Sequence, residues 1–283
     1  MLISENISIP TTMRPTRRFT RLLEAFFPYR FSLAKMTQFP FFRWIITKMV
    51  FDKNNLTYLP KDNVVEVQLN KTIDPVENIA VPSTVVKYFI EKSSYRFIMD
   101  FCICRESMQC RNYPVDLGCL FMGEAARKIP SELGRSVSKK EALAHIKTCQ
   151  QHGLVHLIGR DKLDETWLGV GSTIPLVTVC NCCECCCLWR MRPYLHDDLS
   201  ATIKKMPGIR IQINEQCTGC GTCTNDICFI NAIQLKEGKA EISDDCVGCG
   251  RCVKHCPHDA IDLIITDDQF IKNTIRRVEK ATS

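Results

Sequence analysis

"CVGCGRCVKHCP", residues 246–257, carries four cysteines in the spacing C-x2-C-x2-C-x3-C, followed by proline. A related run, "CTGCGTCTNDIC" at residues 217–228, has the spacing C-x2-C-x2-C-x4-C. The two runs form an internal repeat, because "NAIQL" (231–235) also recurs as "DAIDL" (259–263). Repeats of this kind identify a single structural unit that is used twice. The x2 spacing places three thiolates on one tight turn, and glycines between them permit close approach of the backbone.

The repeat resembles the two-cluster bacterial ferredoxins. In that family, three cysteines of each run bind one [4Fe-4S] cube, and the fourth binds the other cube. The resemblance implies two [4Fe-4S] clusters, the first held by Cys217, Cys220, Cys223 and Cys256, and the second by Cys246, Cys249, Cys252 and Cys228. The alternative, a pair of four-thiolate zinc sites, has no use for a three-plus-one repeat. One-electron transfer is the function that this resemblance implies.

The ferredoxin resemblance also implies a fold of two antiparallel hairpins packed on two short helices. Strands are expected at 208–213, within 232–243 and at 260–265, with a turn at Gly238. Phe229 stands where the second run has proline. Since proline fixes φ and removes a hydrogen-bond donor, the loop around Cys228 is expected to differ from its counterpart.

Ten of the other cysteines lie upstream in two groups, and a further one, Cys149, stands apart. The chain has nineteen cysteines in 283 residues, a density that indicates metal or redox chemistry where thiols are kept reduced. All ten are candidate metal ligands: Cys102, Cys104, Cys110, Cys119, Cys180, Cys182, Cys183, Cys185, Cys186 and Cys187. They predict one or two additional iron–sulfur clusters: either two further [4Fe-4S] cubes, or instead one atypical, non-cubane cluster of higher iron count.

The second group contains two interleaved registers, 180/183/186 and 182/185. Adjacent side chains point in different directions on regular backbone, so neighbouring cysteines rarely serve one tetrahedral ion. Three alternatives remain: a structural zinc site at the first group, disulfides, or a thiol redox sensor. The "CICR" (102–105) and "CNCCECCC" (180–187) segments together resemble ferredoxin-tailed, cysteine-rich proteins of anaerobes, which implies an iron–sulfur protein.

Three further side chains near these cysteines are candidates for supporting roles. His156 is a weaker candidate ligand, because a lone histidine is more often a structural residue. Arg105 and Arg111 stand beside cysteines and would balance cluster charge, although solvated arginines are the default expectation. No G-x-G-x-x-G fingerprint or phosphate loop is present, and no catalytic residue is assigned.

The expected fold class is α+β, with a mixed α/β cysteine-rich domain followed by the ferredoxin-like pseudo-repeat domain. The predicted divisions are a basic, aromatic helical segment, the cysteine-rich domain, the ferredoxin domain and a C-terminal helix or tail, at 1–60, 61–206, 207–265 and 266–283. A strand is expected at 63–69 and a helix within 82–95, with Ser83 as its N-cap. Ser138 and Glu141 predict a capping box, and the helix and strand that follow resemble a winged-helix unit.

The net charge of +6 belongs to the N-terminal segment. Residues 1–60 hold nine Lys and Arg against three Asp and Glu, so the rest of the chain is balanced. Residues 14–52 are basic and aromatic, which predicts contact with a membrane surface or a partner; the alternative is a helix that packs on its own domain. No run of 18 apolar residues and no signal peptide are found, so a cytoplasmic protein is expected.

The leading functional hypothesis is an electron-transfer protein or redox-complex subunit that relays electrons between the ferredoxin clusters and an upstream iron–sulfur site. It implies a redox partner protein. The alternative is a reductase whose upstream cluster acts on a disulfide or another small sulfur or activated substrate. A redox-sensing winged-helix regulator is the second alternative. Nucleic acid is not expected as a partner, because the basic residues lie far in sequence from the candidate recognition helix.

Overall fold

The computed structural model describes residues 17–65, 81–171 and 173–283. Seven strands upstream of the ferredoxin-like repeat form one sheet: β1 (Asn55–Tyr58), β2 (Arg96–Met99), β3 (Leu120–Met122), β4 (Gly134–Ser136), β5 (Val155–Arg160), β6 (Val177–Cys182) and β7 (Ile203–Lys205). The strand order is β4-β2-β3-β6-β5-β1-β7. Neighbours pair antiparallel, except that β1 and β7 are parallel. The chain is therefore of mixed α/β class, as expected.

Three short helices precede the sheet: α1 (Arg17–Phe26), α2 (Arg30–Met36) and α3 (Pro40–Ile46). Pro28 lies in a 3-10 turn, Phe27–Tyr29, between α1 and α2, and Pro40 begins α3. Both prolines thus fall where the helical segment is interrupted, since proline cannot donate within a helix interior. A π-helical turn, Thr47–Phe51, leads into β1, so the N-terminal segment contributes a strand to the sheet.

Among the described residues, five helices lie between strands of the sheet in chain order: α4 (Ser83–Lys92), α5 (Ile103–Ser107), α6 (Lys139–Gln151), α7 (Lys162–Trp167) and α8 (Asp197–Ser200). The predicted capping box is confirmed, because Ser138 caps α6 and the Glu141 side chain accepts from the Ser138 backbone. Ser83 is not an N-cap, as Pro82 takes that position. The Ser83 backbone N–H is instead bound by the side chain of Asp62, at 2.9 Å.

Two other expectations are modified. The strand expected at 63–69 begins as a helical turn over residues 62–65, and its remainder lies outside the described residues. The winged-helix resemblance of α6 and β5 receives no support. All six residues of β5 are buried between β6 and β1, whereas a wing lies at a sheet's exposed end.

The C-terminal part contains two small antiparallel sheets. They pair β8 (Ile209–Ile213) with β11 (Ile261–Ile265), and β9 (Ile233–Lys236) with β10 (Lys239–Ile242). Glu237 and Gly238, both at positive φ, make the two-residue turn between β9 and β10. A short helical element lies within each cysteine run: a 3-10 turn at Thr222–Thr224, and helix α9 (Arg251–His255). Helix α10 (Phe270–Ala281) ends the fold.

This C-terminal part shares its apolar core with the seven-stranded sheet. One buried cluster combines Ile90 and Ile158 with Ile209, Ile233 and Leu263. Polar contacts add to it: the Lys61 N–H donates to the Cys249 carbonyl at 3.2 Å, and the Arg192 guanidinium donates to the Asp245 carbonyl at 2.7 Å. Within the described residues, no helix combines the length and hydropathy needed to cross a bilayer.

Candidate metal centres

The first ferredoxin-type group of cysteines surrounds one small pocket. Its lining includes Cys217, Cys220, Cys223 and Cys256, which come from both runs of the repeat. Gly219 closes one side of this pocket, and a Cβ at this residue would lie 2.0 Å from the Gly238 carbonyl oxygen. Only glycine fits such an approach at a positive φ of 68°. The hairpin turn at Gly238 is thus packed directly on the cysteine loop.

The second ferredoxin-type group surrounds a matching pocket, lined by Cys228 together with Cys246, Cys249 and Cys252. Each pocket therefore combines three cysteines of one run with the last cysteine of the other. This is the grouping that the family resemblance implied. Burial raises the pKa of Cys249 to about 12, so this thiol needs a positive centre beside it to exist as thiolate.

Backbone N–H groups point at the last cysteine of each run. The Ala232 N–H lies 3.3 Å from the Cys228 sulfur, and the Ala260 N–H lies 3.3 Å from the Cys256 sulfur. In both loops the residue before the alanine, Asn231 or Asp259, has a positive φ. Such donors favour a negatively charged sulfur. The donor set and its hydrogen bonds fit [4Fe-4S] clusters held by thiolates.

The two loops differ before the last cysteine rather than after it. The first run forms only a 3-10 turn and places Asp226 at a positive φ of 54°, whereas the second forms α9. The extra residue of the first run therefore lies in the segment between the 3-10 turn and Cys228. Phe229, in place of proline, is buried and stacks at a tilt on Tyr58 of β1, with ring centroids 5.9 Å apart. Phe229 therefore packs the repeat onto the seven-stranded sheet.

Upstream cysteines line a larger space, here called the cysteine cavity. Its volume is about 220 Å³, far more than the ~10–15 Å³ that one water needs. Seven cysteines line it: Cys102, Cys104, Cys119, Cys180, Cys182, Cys183 and Cys187. Cys180 and Cys182 share a face of β6, because residues two apart in a strand point the same way. Cys102 and Cys104 approach from α5 and the residue before it.

Two arginines supply positive charge to the cysteine cavity. Arg105 is fully buried and donates to the carbonyls of Asn181, at 2.7 Å, and Leu117. Burial lowers the pKa of Arg105, but thiolate charge at Cys102 and Cys183 outweighs it and raises that pKa. Arg30 of α2 is also buried, and the charge of Cys104 acts on it. The expectation that Arg105 is solvated is therefore wrong, while Arg111 is exposed.

Two carboxyl groups stand at the same cavity. Asp161 and Asp164 line it together with Cys180, and their ligand atoms lie within 4.8 Å of one another. Burial raises the pKa of Asp164 to about 6 and also raises the pKa of Asp161 well above its usual range. The cavity thus combines thiols, cations and two carboxyl groups whose pKa values are raised by burial.

Tyr58 lies between the cysteine cavity and the second ferredoxin-type pocket. Its side chain is fully buried, and its hydroxyl has no hydrogen-bond partner among the described residues. Burial raises the pKa of Tyr58, and so does the negative charge of Cys187, Cys182 and Cys249. An unpartnered buried hydroxyl is costly. Because the Tyr58 hydroxyl lies beside several cysteine sulfurs, we infer that it donates a hydrogen bond to a centre that those cysteines hold.

Cys183 of the cavity also belongs to a second cluster, here called the four-thiol set, which consists of Cys110, Cys183, Cys185 and Cys186. Its sulfurs all lie within 4.8 Å of one another. The upstream cysteines thus form groups according to their positions in the fold. These groups do not follow the sequence registers 180/183/186 and 182/185. Cys110 lies apart from Cys102, Cys104 and Cys119, so those four do not make one structural zinc site.

His156 is held by Asn181 and does not line the cysteine cavity. Its Nδ1 donates to the Asn181 side-chain oxygen at 2.9 Å, and the Asn181 amide donates to the Gly118 carbonyl at 2.8 Å. Sequence reasoning missed Tyr58, Arg30, Asp161 and Asp164. No motif marks these residues, because only tertiary packing brings them to the cysteines.

The comparisons with known proteins agree with the ferredoxin-type pattern. A family model described as a 4Fe-4S binding domain matches residues 241–262, which include all four cysteines of the second run. No curated protein and no solved structure matches the chain. The chain therefore contains a ferredoxin-type 4Fe-4S segment, and an iron–sulfur electron-transfer role is supported. The resemblance of the upstream region to cysteine-rich proteins of anaerobes receives no support.

Proposed function

We propose that the protein is an electron carrier or redox-complex subunit with two [4Fe-4S] clusters and a further iron–sulfur centre. Cys217, Cys220, Cys223 and Cys256 would hold the first cluster, and Cys246, Cys249, Cys252 and Cys228 the second. The cysteine cavity would hold the further centre. Such clusters accept and release single electrons when bound. A separate redox partner protein would supply or remove these electrons.

The observation that carries this proposal is the shared surroundings of Tyr58. Tyr58, Cys182 and Cys187 belong to the same buried apolar cluster as Phe229 and Cys249. The two cysteine groups are thus joined by packed protein with no layer of solvent between them. A dry, packed connection favours electron transfer, and the Tyr58–Phe229 contact belongs to it.

The spread of the cavity thiols favours a multi-metal centre there. Thiol contacts run from Cys119 through Cys180 and Cys182 to Cys187, with Cys102 and Cys104 opposite. They surround a volume instead of meeting at one point. Arg105 and Arg30 would offset part of the negative charge of a cluster held by several thiolates.

Iron and sulfide analysis of anaerobically purified protein tests the proposal. Two ferredoxin-type clusters alone give about eight irons per chain, and a further centre raises the count to about twelve. A Cys182→Ala/Cys187→Ala variant should return the count to about eight while its reduced ferredoxin-type EPR signal stays. A count of eight in the unaltered protein removes the further centre, and a count below four removes the two-cluster assignment.

The cavity also favours a second candidate function, reduction of a disulfide or another small sulfur or activated substrate at this centre. Apolar residues Leu23, Phe26 and Leu33 line the cavity beside its cysteines, and two of them are exposed. Cleavage of a disulfide consumes two electrons and two protons to give two thiols. The clusters would deliver the electrons, and Asp161 and Asp164 are placed to donate protons. A substrate-dependent change in the EPR spectrum supports this function, and an unchanged spectrum favours pure electron transfer.

We further propose that helices α1 to α3 dock on an anionic membrane surface. Nine of the thirteen most exposed large apolar side chains among the described residues fall within residues 22–49, including Phe39 (63% exposed), Phe41 (68%) and Trp44 (52%). Exposed Arg21, Lys35 and Lys48 lie among them, and residues 25–51 hold no acidic residue. An apolar surface with interleaved basic residues is typical of interfacial helices.

A further inference from the structure

We propose that the four-thiol set, Cys110, Cys183, Cys185 and Cys186, binds one divalent ion in tetrahedral geometry, with zinc as the chemical class that fits best. The site shares Cys183 with the cysteine cavity and shares no residue with either ferredoxin-type pocket. This zinc site does not require an iron–sulfur centre in the cysteine cavity, so each of the two proposals can be tested without the other.

Sulfur–sulfur distances favour a single ion over a cluster. A Zn–S bond of about 2.3 Å places tetrahedral thiolates roughly 3.8 Å apart. The Cys110 and Cys185 sulfurs are 3.6 Å apart, those of Cys185 and Cys186 are 3.5 Å apart, and all four lie within 4.8 Å. Thiolates on different irons of a cluster lie farther apart, because the irons themselves separate them. The thiols of the four-thiol set therefore converge on one point, whereas those of the cysteine cavity do not.

The local backbone explains how neighbouring cysteines reach the same ion. Residues 184–186 form a turn, which the Cys187 N–H closes on the Cys183 carbonyl at 3.4 Å. The divergence of adjacent side chains holds for regular strands and helices, and this turn is neither. Cys110 completes the set from the end of the α5 segment, where its N–H binds the Arg105 carbonyl at 2.9 Å. The expectation that adjacent cysteines do not share an ion thus fails at Cys185 and Cys186.

The surroundings suit a closed, structural site. Cys183 and Cys186 are buried, and Leu117, Leu154 and Cys149 pack against them. Four protein thiolates fill a tetrahedral ion and leave no open position for substrate. The resulting centre has two negative charges, and guanidinium groups stand near it. Arg105 lies beside Cys183, and Arg190 donates to the Cys185 carbonyl at 2.7 Å.

An ion at this place would fix the contact between the two halves of the molecule. Glu184, between the ligands Cys183 and Cys185, accepts from Arg251 of α9 at 3.0 Å and from Tyr113 at 2.9 Å. Holding the turn therefore holds Glu184 against the second cysteine run. Because Cys183 also lines the cysteine cavity, its use here leaves six cysteines for the larger centre.

Metal analysis of the full chain, purified anaerobically with its clusters and iron counted in parallel, tests the site. We expect about one zinc per chain. Cys110→Ala and Cys185→Ala should each lower the zinc content at least fivefold and leave the ferredoxin-type EPR signal in place. Cys149→Ala is the matched control, since this buried cysteine packs on the same cluster but lies outside the four-thiol set; it should keep its zinc.

X-ray absorption at the zinc edge of the unaltered protein makes the test independent of how the variants fold. Four sulfur neighbours at about 2.3 Å are expected. The proposal is overturned by less than about 0.2 zinc per chain, by nitrogen or oxygen neighbours, or by a Cys110–Cys185 disulfide. Loss of iron with retention of zinc in Cys110→Ala would assign these thiols to a cluster instead. Because zinc reports on this site and iron on the other centres, a failure here is distinguishable from a failure of the proposed function.

Discussion

At the scale of single residues, Tyr58 gives the sharpest test of the link between the cysteine groups. We expect Tyr58→Phe to lower the midpoint potential of a neighbouring centre, because a hydroxyl that donates to sulfur favours the more negative, reduced state. A hydrogen bond of about 1 kcal/mol corresponds to roughly 40 mV for one electron. An anaerobic redox titration followed by EPR measures this potential.

The control for this variant is Tyr88→Phe, since the Tyr88 hydroxyl binds Glu279 at 2.7 Å, away from the cysteines. It should leave every potential unchanged. Equal potentials in Tyr58→Phe and the unaltered protein would show that the Tyr58 hydroxyl serves no centre. The ring of Tyr58 would then matter only for its packing on Phe229.

The sequence predicted some residues of the candidate sites and missed others. The x2 spacings explain how three thiols of each run meet on one short loop, and the ferredoxin resemblance implied that the fourth comes from the other run. The same spacings misled at Cys180 and Cys182, where the backbone is the strand β6. Alternation along "TVCNC" would have placed both on one face and Asn181 on the other. Tyr58 and Arg30 had no local signal, because their partners are distant in sequence.

At the scale of secondary structure, the N-cap of α6 offers a prediction of stability. Ser138 accepts from the Glu141 N–H, and the Glu141 carboxylate accepts from the Ser138 N–H at 2.8 Å. Ser138→Ala should cost about 1 kcal/mol, and lower the melting temperature by roughly 2–4 °C for a chain of this size. Thermal unfolding followed by circular dichroism measures it.

Exposed Ser136, two residues earlier on β4, provides the matched control for the capping prediction. Ser136→Ala should change the melting temperature by less than about 1 °C, because surface substitutions away from caps are usually near neutral. Equal melting temperatures for Ser138→Ala and Ser136→Ala would mean that α6 is stabilised by its packing alone, with no measurable share from the cap.

Local sequence signals predicted those helix boundaries that neighbouring residues determine. The capping box marked the start of α6, and Pro28 and Pro40 marked helix interruptions. The seven-stranded sheet was not predicted, since its order depends on pairings such as β1 with β5, about 100 residues apart. The winged-helix resemblance is not confirmed either: it rested on the local succession of α6 and β5, whereas β5 lies between β6 and β1 in the sheet.

At the scale of the whole molecule, the buried pair of Arg251 and Glu184 joins the repeat to the sheet. Arg251 donates to Glu184 at 3.0 Å and to the Gly153 carbonyl at 3.3 Å, and both charged side chains are largely buried. Removing one partner of a buried pair leaves an uncompensated charge. Arg251→Met should therefore cost about 3–5 kcal/mol, measured by denaturant unfolding of the metal-loaded protein.

Asp245→Asn is the comparison for Arg251→Met, because Asp245 joins the same two regions through Arg192 but is exposed. Its cost should stay below about 1 kcal/mol. Similar costs for the two variants would contradict the view that Arg251 anchors the repeat, and would leave the shared apolar core as the only connection of consequence.

The N-terminal helices carry the last prediction, which concerns how the whole molecule is positioned in the cell. Exposed Phe41 and Trp44 lie on α3 beside exposed Lys48, so an anionic bilayer would cover apolar and basic side chains together. The full chain should co-sediment with vesicles containing phosphatidylserine, more weakly with neutral vesicles, and less as salt is raised, because salt screens surface charge. Phe41→Ser/Trp44→Ser should weaken binding at least tenfold, since each ring contributes about 1.5–3 kcal/mol when buried.

The control is Met108→Ser, because Met108 is exposed but lies outside these helices, and this variant should bind like the unaltered protein. Equal binding by all three proteins, or binding that ignores lipid charge, would exclude these helices as the docking surface and favour a protein partner for them instead.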